Sequence, residues 1–190
     1  MEQMEQKILQ EGKVLPGGIL KVGSFLNQQI DTAFLQEIGE EIARLFEGTG
    51  VTKVLTIESS GIAIAAAAGM AMHVPVVFAK KHRSSNVDGG VYSTVVHSFT
   101  HGTDYTVVVS RDYLLPADHV LLVDDFLANG KALLGLMDLV KQADASLVGA
   151  ACAIEKGFQG GGDALRAQGV RVESLAIIDE MSDDLIRFRH

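Results

Sequence analysis

The sequence predicts an α/β protein built on a mostly parallel sheet flanked by helices. Branched apolar runs too short for helices recur at residues 53–57, 75–79, 120–123, 146–154 and 170–176. From residue 53 onward such runs alternate with segments of helical spacing, the pattern of parallel strands joined through helices. The runs are close to continuously apolar, as in a sheet covered on both faces.

In chain order, residues 1–11 form a short charged helix that Gly12 ends. Residues 13–29 show no clean period, mixing Pro16, Gly17, Gly18 and Gly23 with apolar positions, and are expected as a long irregular connection. Asp31 is a plausible N-cap for a helix whose stripe is Phe34, Leu35, Ile38, Ile42, Leu45 and Phe46. A strand at 53–57 leads through Glu58-Ser59-Ser60-Gly61 into an alanine-rich helix over 62–72. After the strand at 75–79, residues 80–90 break all periodicity. Residues 91–99 and 105–110 alternate well enough for a hairpin with a longer loop. The run 120–123 ends at Asp124 and Asp125. A turn over 126–130 follows, and then a helix with Leu133, Leu136, Met137 and Val140 on one face. A strand at 146–154 ends at Glu155-Lys156-Gly157. A short helix at 163–168, a strand at 170–176 and one further strand or docked end near 185–188 complete the chain.

The 190 residues suit one domain with a proper core. With 47% hydrophobic residues and no long polar tract, disorder is not a serious reading. Sixteen basic against 24 acidic residues, a net charge of −8, argue against non-specific affinity for nucleic acid or anionic lipid. No repeat or linker divides the chain. Cys152 lies in an apolar run as a core residue, without a partner for a disulfide. The histidines show no metal-ligand spacing, so no protein-built metal site is expected. The opening residues lack an apolar leader core, and the least polar stretch falls well short of the ~20 residues of a membrane span. A soluble cytoplasmic protein is expected.

The stretch 119–140 organises the rest. A strand, an acid pair, a small-residue loop and a helix together present backbone N–H groups beside the positive end of the helix. The acids suit hydroxyls or a hydrated cation. This is a cup for a molecule carrying both a phosphate and a sugar diol, although a strand-end acid pair also fits the phosphoacceptor site of a receiver domain. Glu58-Ser59-Ser60-Gly61 is either a second anion cup or a plain N-cap. Lys80-Lys81-His82-Arg83 is the densest basic cluster, either a solvated face or a ligand-facing edge. Ligands in such sheets bind past the carboxyl ends of strands. The turns at 58–61, 80–83, 124–130 and 155–157 are therefore expected to converge on one crevice.

The segment VLLVDDFLANGKAL resembles the phosphoribosyl pyrophosphate (PRPP) signature of type I phosphoribosyltransferases. The resemblance implies that fold, with a small hood formed by both ends of the chain and a flexible hairpin. It implies that Asp124 and Asp125 hold the ribose hydroxyls, while Ala128, Asn129, Gly130, Lys131 and Ala132 cradle the 5′-phosphate. The commoner family loop is Thr-Gly-Gly-Thr; Ala-Asn-Gly is similar to the xanthine branch of the family. By the same resemblance, Glu58, Ser59, Ser60 and Gly61 receive pyrophosphate. A basic residue among Lys80, Lys81 and Arg83, with Lys81 favoured, reaches the pyrophosphate of a neighbouring subunit in a homodimer. Residues 1–30 form a base-binding lid on a single domain of residues 1–190, in which Leu20 and Asn27 meet the purine. Lys156, just past a strand, is by itself either a solvated strand end or a partner for a 6-oxo group, and the resemblance implies the latter; Phe158 is expected to stack on the ring and Gly160–Gly162 to let the chain pass close by. Mg²⁺ arrives with PRPP. The implied activity is phosphoribosyl transfer from PRPP to N9 of xanthine, with guanine or hypoxanthine as alternative acceptors and a non-catalytic PRPP-sensing regulator as the other alternative.

Overall fold

A computed structural model of the protein describes residues 1–82, 90–98, 103–182 and 185–190. Arg83, the remainder of the aperiodic segment to residue 89, and the tip of the predicted hairpin at 99–102 lie outside the described residues.

Helix α1 (Glu2–Glu11) ends at Gly12, whose N–H donates to the Ile8 carbonyl. The connection expected to be irregular is ordered: β1 (Lys13–Leu15) and β2 (Ile19–Lys21) pair antiparallel, and a π-helical turn covers Gly23–Asn27. Pro16-Gly17-Gly18 makes the reversal, with both glycines at positive φ, where a side chain would be strained. Three-residue strands are too short to display alternation, which is why no period was visible. Asp31 caps α2 (Thr32–Leu45) as predicted, its Oδ1 accepting from the Phe34 N–H at 3.1 Å. The buried stripe of α2 includes Ile38 and Ile42, each contributing roughly 1.5–3 kcal/mol by burial.

The central units follow. Strand β3 (Lys53–Ile57), helix α3 (Gly61–Met72) and strand β4 (Val76–His82) form the first β-α-β. Strand β4 runs three residues past the predicted end, because Lys80 and Lys81 pair across to Val108 and Val107. Strands β5 (Val91–Ser98) and β6 (Thr103–Ser110) form the expected antiparallel pair. Strand β7 (His119–Leu127) precedes α4 (Lys131–Gln142). Strand β8 (Ser146–Lys156) is followed by a 3₁₀ turn at Gly157–Gln159, and helix α5 (Gly161–Ala167) leads to β9 (Val172–Ser182) and β10 (Leu185–Phe188).

The large sheet has the order β10-β9-β8-β7-β3-β4-β6-β5. Pairing is parallel from β9 through β8, β7 and β3 to β4, with antiparallel strands at both edges. The predicted mostly parallel α/β class is therefore correct. Successive residues of β7 feed two core layers. Leu121 and Val123 pack with α1, α2 and α3, while Val120 and Leu122 pack with Leu133, Leu136 and Leu139 of α4. Among the described residues no helix is long and apolar enough to cross a membrane.

Candidate functional site

The acid pair is not a turn. Asp124 and Asp125 are strand residues, because β7 stays paired with β8 through Asp124↔Cys152, Phe126↔Ile154 and Leu127↔Glu155. The turn is confined to Ala128, Asn129 and Gly130. Asp124 is buried and accepts the Asp125 N–H at 2.9 Å, whereas Asp125 is half-buried. Burial, and next the charge of Asp125, raise the Asp124 pKa well above the carboxylate range, and Lys81 opposes this.

The start of α3 lies directly against this acid. A Cβ on Gly61 would fall 2.9 Å from Asp124 Oδ1 and 2.4 Å from Thr56 Oγ1, so only glycine permits the approach. Ser60 precedes the helix without a side-chain cap, which removes the plain N-cap reading for Ser60. The Ser59 side chain is exposed and that of Ser60 half-buried. The Glu58 carboxylate accepts the Lys81 N–H at 2.6 Å and so ties this turn to β4. Lys81 itself is exposed, with its Nζ 5.1 Å from the centroid of Tyr105. Burial, and then the Asp124 charge, raise the Tyr105 pKa.

In the loop after β7, Gly130 has a φ of 80°, and Asn129 Oδ1 accepts the Lys131 N–H at 3.1 Å. The following N–H groups of the first turn of α4 have no acceptor within the helix. Gly161 backs the loop: its N–H donates to the Ala128 carbonyl at 3.1 Å, and a Cβ there would meet that oxygen at 2.3 Å. The glycine run therefore passes against this loop, on the side of Ala128 and Gly130.

One strand over, Lys156 ends β8. Its Nζ donates to the Gly18 carbonyl at 3.0 Å, across 138 residues, and lies 5.7 Å from the Phe126 ring centroid. Burial lowers its pKa. This contact brings the tip of the β1–β2 hairpin over the end of β8. Phe158 is exposed and near Gly18, while the Leu20 side chain is buried in the core. Asn27 is exposed at the end of the π turn. Glu155, expected in a turn, is a wholly buried strand residue gripped by Arg166 at 2.9 and 2.7 Å, since β8 extends to Lys156.

Sequence reasoning missed Phe126, whose sole signal was an aromatic beside the acid pair. Tyr105 and Thr56 carried no signal, since only strand order brings them here. Three of the four expected turns converge directly through Gly61, Asp124, Glu58 and Lys81. The fourth contributes Lys156, which meets the hairpin tip.

A family model described as "Phosphoribosyl transferase domain" matches residues 27–182. The chain is 52% identical over 190 residues to the xanthine phosphoribosyltransferase of Clostridioides difficile, covering all of both chains. It is 50% identical over 189 residues to the one of Oceanobacillus iheyensis, covering all of this chain and 97% of that one. Among solved structures, an adenine phosphoribosyltransferase of Giardia lamblia, complexed with 9-deazaadenine, superposes with a TM-score of 0.76 at 22% identity, over 94% of this chain and 98% of that one.

Proposed function

Because the chain belongs to the phosphoribosyltransferase family, we propose that it transfers the 5-phosphoribosyl group of PRPP to N9 of xanthine, giving xanthosine 5′-monophosphate and pyrophosphate. The observation that carries this reading is the adjacency of two half-sites. An acid pair with a backbone anion loop ends β7, and a partly desolvated lysine beside an aromatic ring ends β8 under the hairpin.

Asp124 and Asp125 hold the ribose 2′ and 3′ hydroxyls and stabilise positive charge as it develops at C1′. The loop of Ala128, Asn129, Gly130, Lys131 and Ala132 binds the 5′-phosphate. The Lys131 N–H is already satisfied, so the Asn129 NH₂ and the first turn of α4 supply donors. Ser59, Ser60 and the start of α3 at Gly61 receive pyrophosphate. Glu58 fixes this turn, and Lys81 supplies cationic charge, to a neighbouring subunit in a homodimer. The purine lies against Phe126 and Phe158, its 6-oxo group on Lys156 and its 2-oxo group on Asn27, with Leu20 anchoring the lid of residues 1–30 on a single domain. Lys156 has three donors, so it can hold both the Gly18 carbonyl and the base. A cationic partner at the 6-oxo position favours the anionic purine, so no protein base is required. Catalysis is then orientation, charge stabilisation and exclusion of water.

Mg²⁺ bound together with PRPP would supply positive charge to offset that of the pyrophosphate. Such an ion keeps several waters and takes one or two carboxylates beside phosphate oxygens. The half-buried Asp125 next to Asp124 fits that donor set, and among the described residues no group of three or more acidic, His or Cys side chains forms a larger one. As a purine-salvage step the reaction is assigned to the cytoplasm.

The test is pyrophosphate release by the purified protein with Mg²⁺, PRPP and each of xanthine, guanine, hypoxanthine and adenine. The highest kcat/KM is expected with xanthine. Preference for guanine or hypoxanthine would replace the acceptor, and no release with any base would leave a PRPP-binding regulator.

A further inference from the structure

A continuous set of charged and hydroxyl groups, unused by the chemistry above, lies beneath the segment that follows Lys156. Ser174 Oγ donates to the buried Glu155 carboxylate, whose two oxygens Arg166 also holds. Arg166 Nη1 reaches Asp163 Oδ1 at 3.3 Å. Asp163 in turn accepts from Arg189 Nη1 at 2.7 Å and Nη2 at 3.2 Å, and Arg189 Nε and Nη2 donate to Asp179 at 2.9 and 2.7 Å. The Arg189 main chain is itself fixed, its N–H donating to the Ile177 carbonyl at 2.8 Å.

The Arg189–Asp179 pair lies close against the residue next to Lys156, leaving no room for a side chain there. A Cβ on Gly157 would lie 2.6 Å from Asp179 Oδ1 and 3.0 Å from Arg189 Nη2. The turn Gly157–Gln159 thus starts against this pair, and the residue before it, Lys156, is paired with Ile178 of β9. A planar guanidinium meets the two carboxylates, from β9 and from α5, with several N–H groups in a fixed fork, a geometry that a single ammonium does not reproduce. The loop at Ala128 has its own anchors in the Gly161 N–H and in the strand pairing of Leu127 with Glu155 just before it.

We propose that Arg189, bridging Asp179 and Asp163, is a positioning residue for base recognition, acting through the Gly157 turn to set where the Lys156 side chain ends. This rests on the assignment of Lys156 to the 6-oxopurine.

The experiment compares wild type, Arg189→Ala, Arg189→Lys, Asp179→Asn and the double variant Arg189→Ala/Asp179→Asn. It reads kcat, KM for xanthine, KM for PRPP, melting temperature and amide hydrogen exchange over residues 157–162. Arg189→Ala is expected to raise KM for xanthine roughly ten-fold, because small misplacements are amplified in rate and binding. Meanwhile kcat and KM for PRPP stay within about two-fold of wild type. Arg189→Lys should be intermediate, and the double variant no worse than the poorer single one, since the pair acts as a unit. Exchange should quicken at 157–162 in the Ala variant. Unchanged KM for xanthine, or a uniform loss in all kinetic constants that tracks melting temperature, overturns the proposal. If wild type releases no pyrophosphate with xanthine, the functional reading fails on its own. Exchange then decides the latch, and unaltered protection at 157–162 overturns it.

Discussion

The proposed reaction requires Asp124 to carry charge in a place that resists it. Burial and the neighbouring Asp125 raise its pKa in the folded protein. A raised folded-state value gives stability that is full below the ordinary carboxylate range and is lost as pH rises through the folded value. Asp124→Asn keeps the acceptor for the Asp125 N–H but not the charge. It should raise the melting temperature near pH 7 more than near pH 4, while lowering kcat. Thermal melts at the two pH values check the sign. Lys156→Met removes the charge-assisted donor proposed for the base and should raise KM for xanthine roughly 10–100-fold, with KM for PRPP nearly unchanged; initial rates with each substrate varied in turn measure this. The positions of the acids and of Lys156 near strand ends were legible because each follows an apolar run. Phe126 and Arg189 were not, since their significance lies in partners set by strand order.

The elements hold these residues through a few close contacts. Gly161→Ala would drive a methyl group into the Ala128 carbonyl, a backbone atom that cannot turn aside. It is expected to raise KM for PRPP roughly ten-fold or more. Gly48→Ala, facing open space at positive φ, should cost only about 1 kcal/mol of stability and no activity. Glu155→Ala leaves Arg166 without its buried partner and should destabilise by about 3 kcal/mol, read by urea denaturation. The helices and the buried parallel strands were readable from periodicity. Their ends were less so. Strand β9 continues through Asp179 and Glu180, which look like a loop in sequence. They remain in the strand because β10 pairs beside them, and Arg189 and Arg187 neutralise them at 2.7 and 2.9 Å. The same reason extends β4 through Lys80 and Lys81. The β1–β2 hairpin escaped notice for the opposite cause, strands too short to alternate.

At the scale of the whole molecule, parallel order puts the ends of β3, β4, β7 and β8 along one edge, and the hairpin from the first thirty residues folds over the end of β8. Exposed Met70, Phe78 and Tyr113 offer apolar surface for the proposed second copy. Light scattering should give twice the chain mass, and a mixture of Lys81→Ala with Asp125→Asn chains should recover activity that neither has alone if Lys81 serves the partner. The expected convergence of distant turns was visible in outline because each follows a strand. Its closeness depends on Gly61 and on the Lys156–Gly18 bond, which no local pattern announces. The most direct measurement is a crystal structure with xanthosine 5′-monophosphate bound. The phosphate should sit in the Ala128–Ala132 loop, the ribose hydroxyls on Asp124 and Asp125, and the ring beside Phe126 with its 6-oxo group on Lys156. A nucleotide bound with its ring away from Lys156 and the hairpin, or its phosphate away from Asn129, would contradict it.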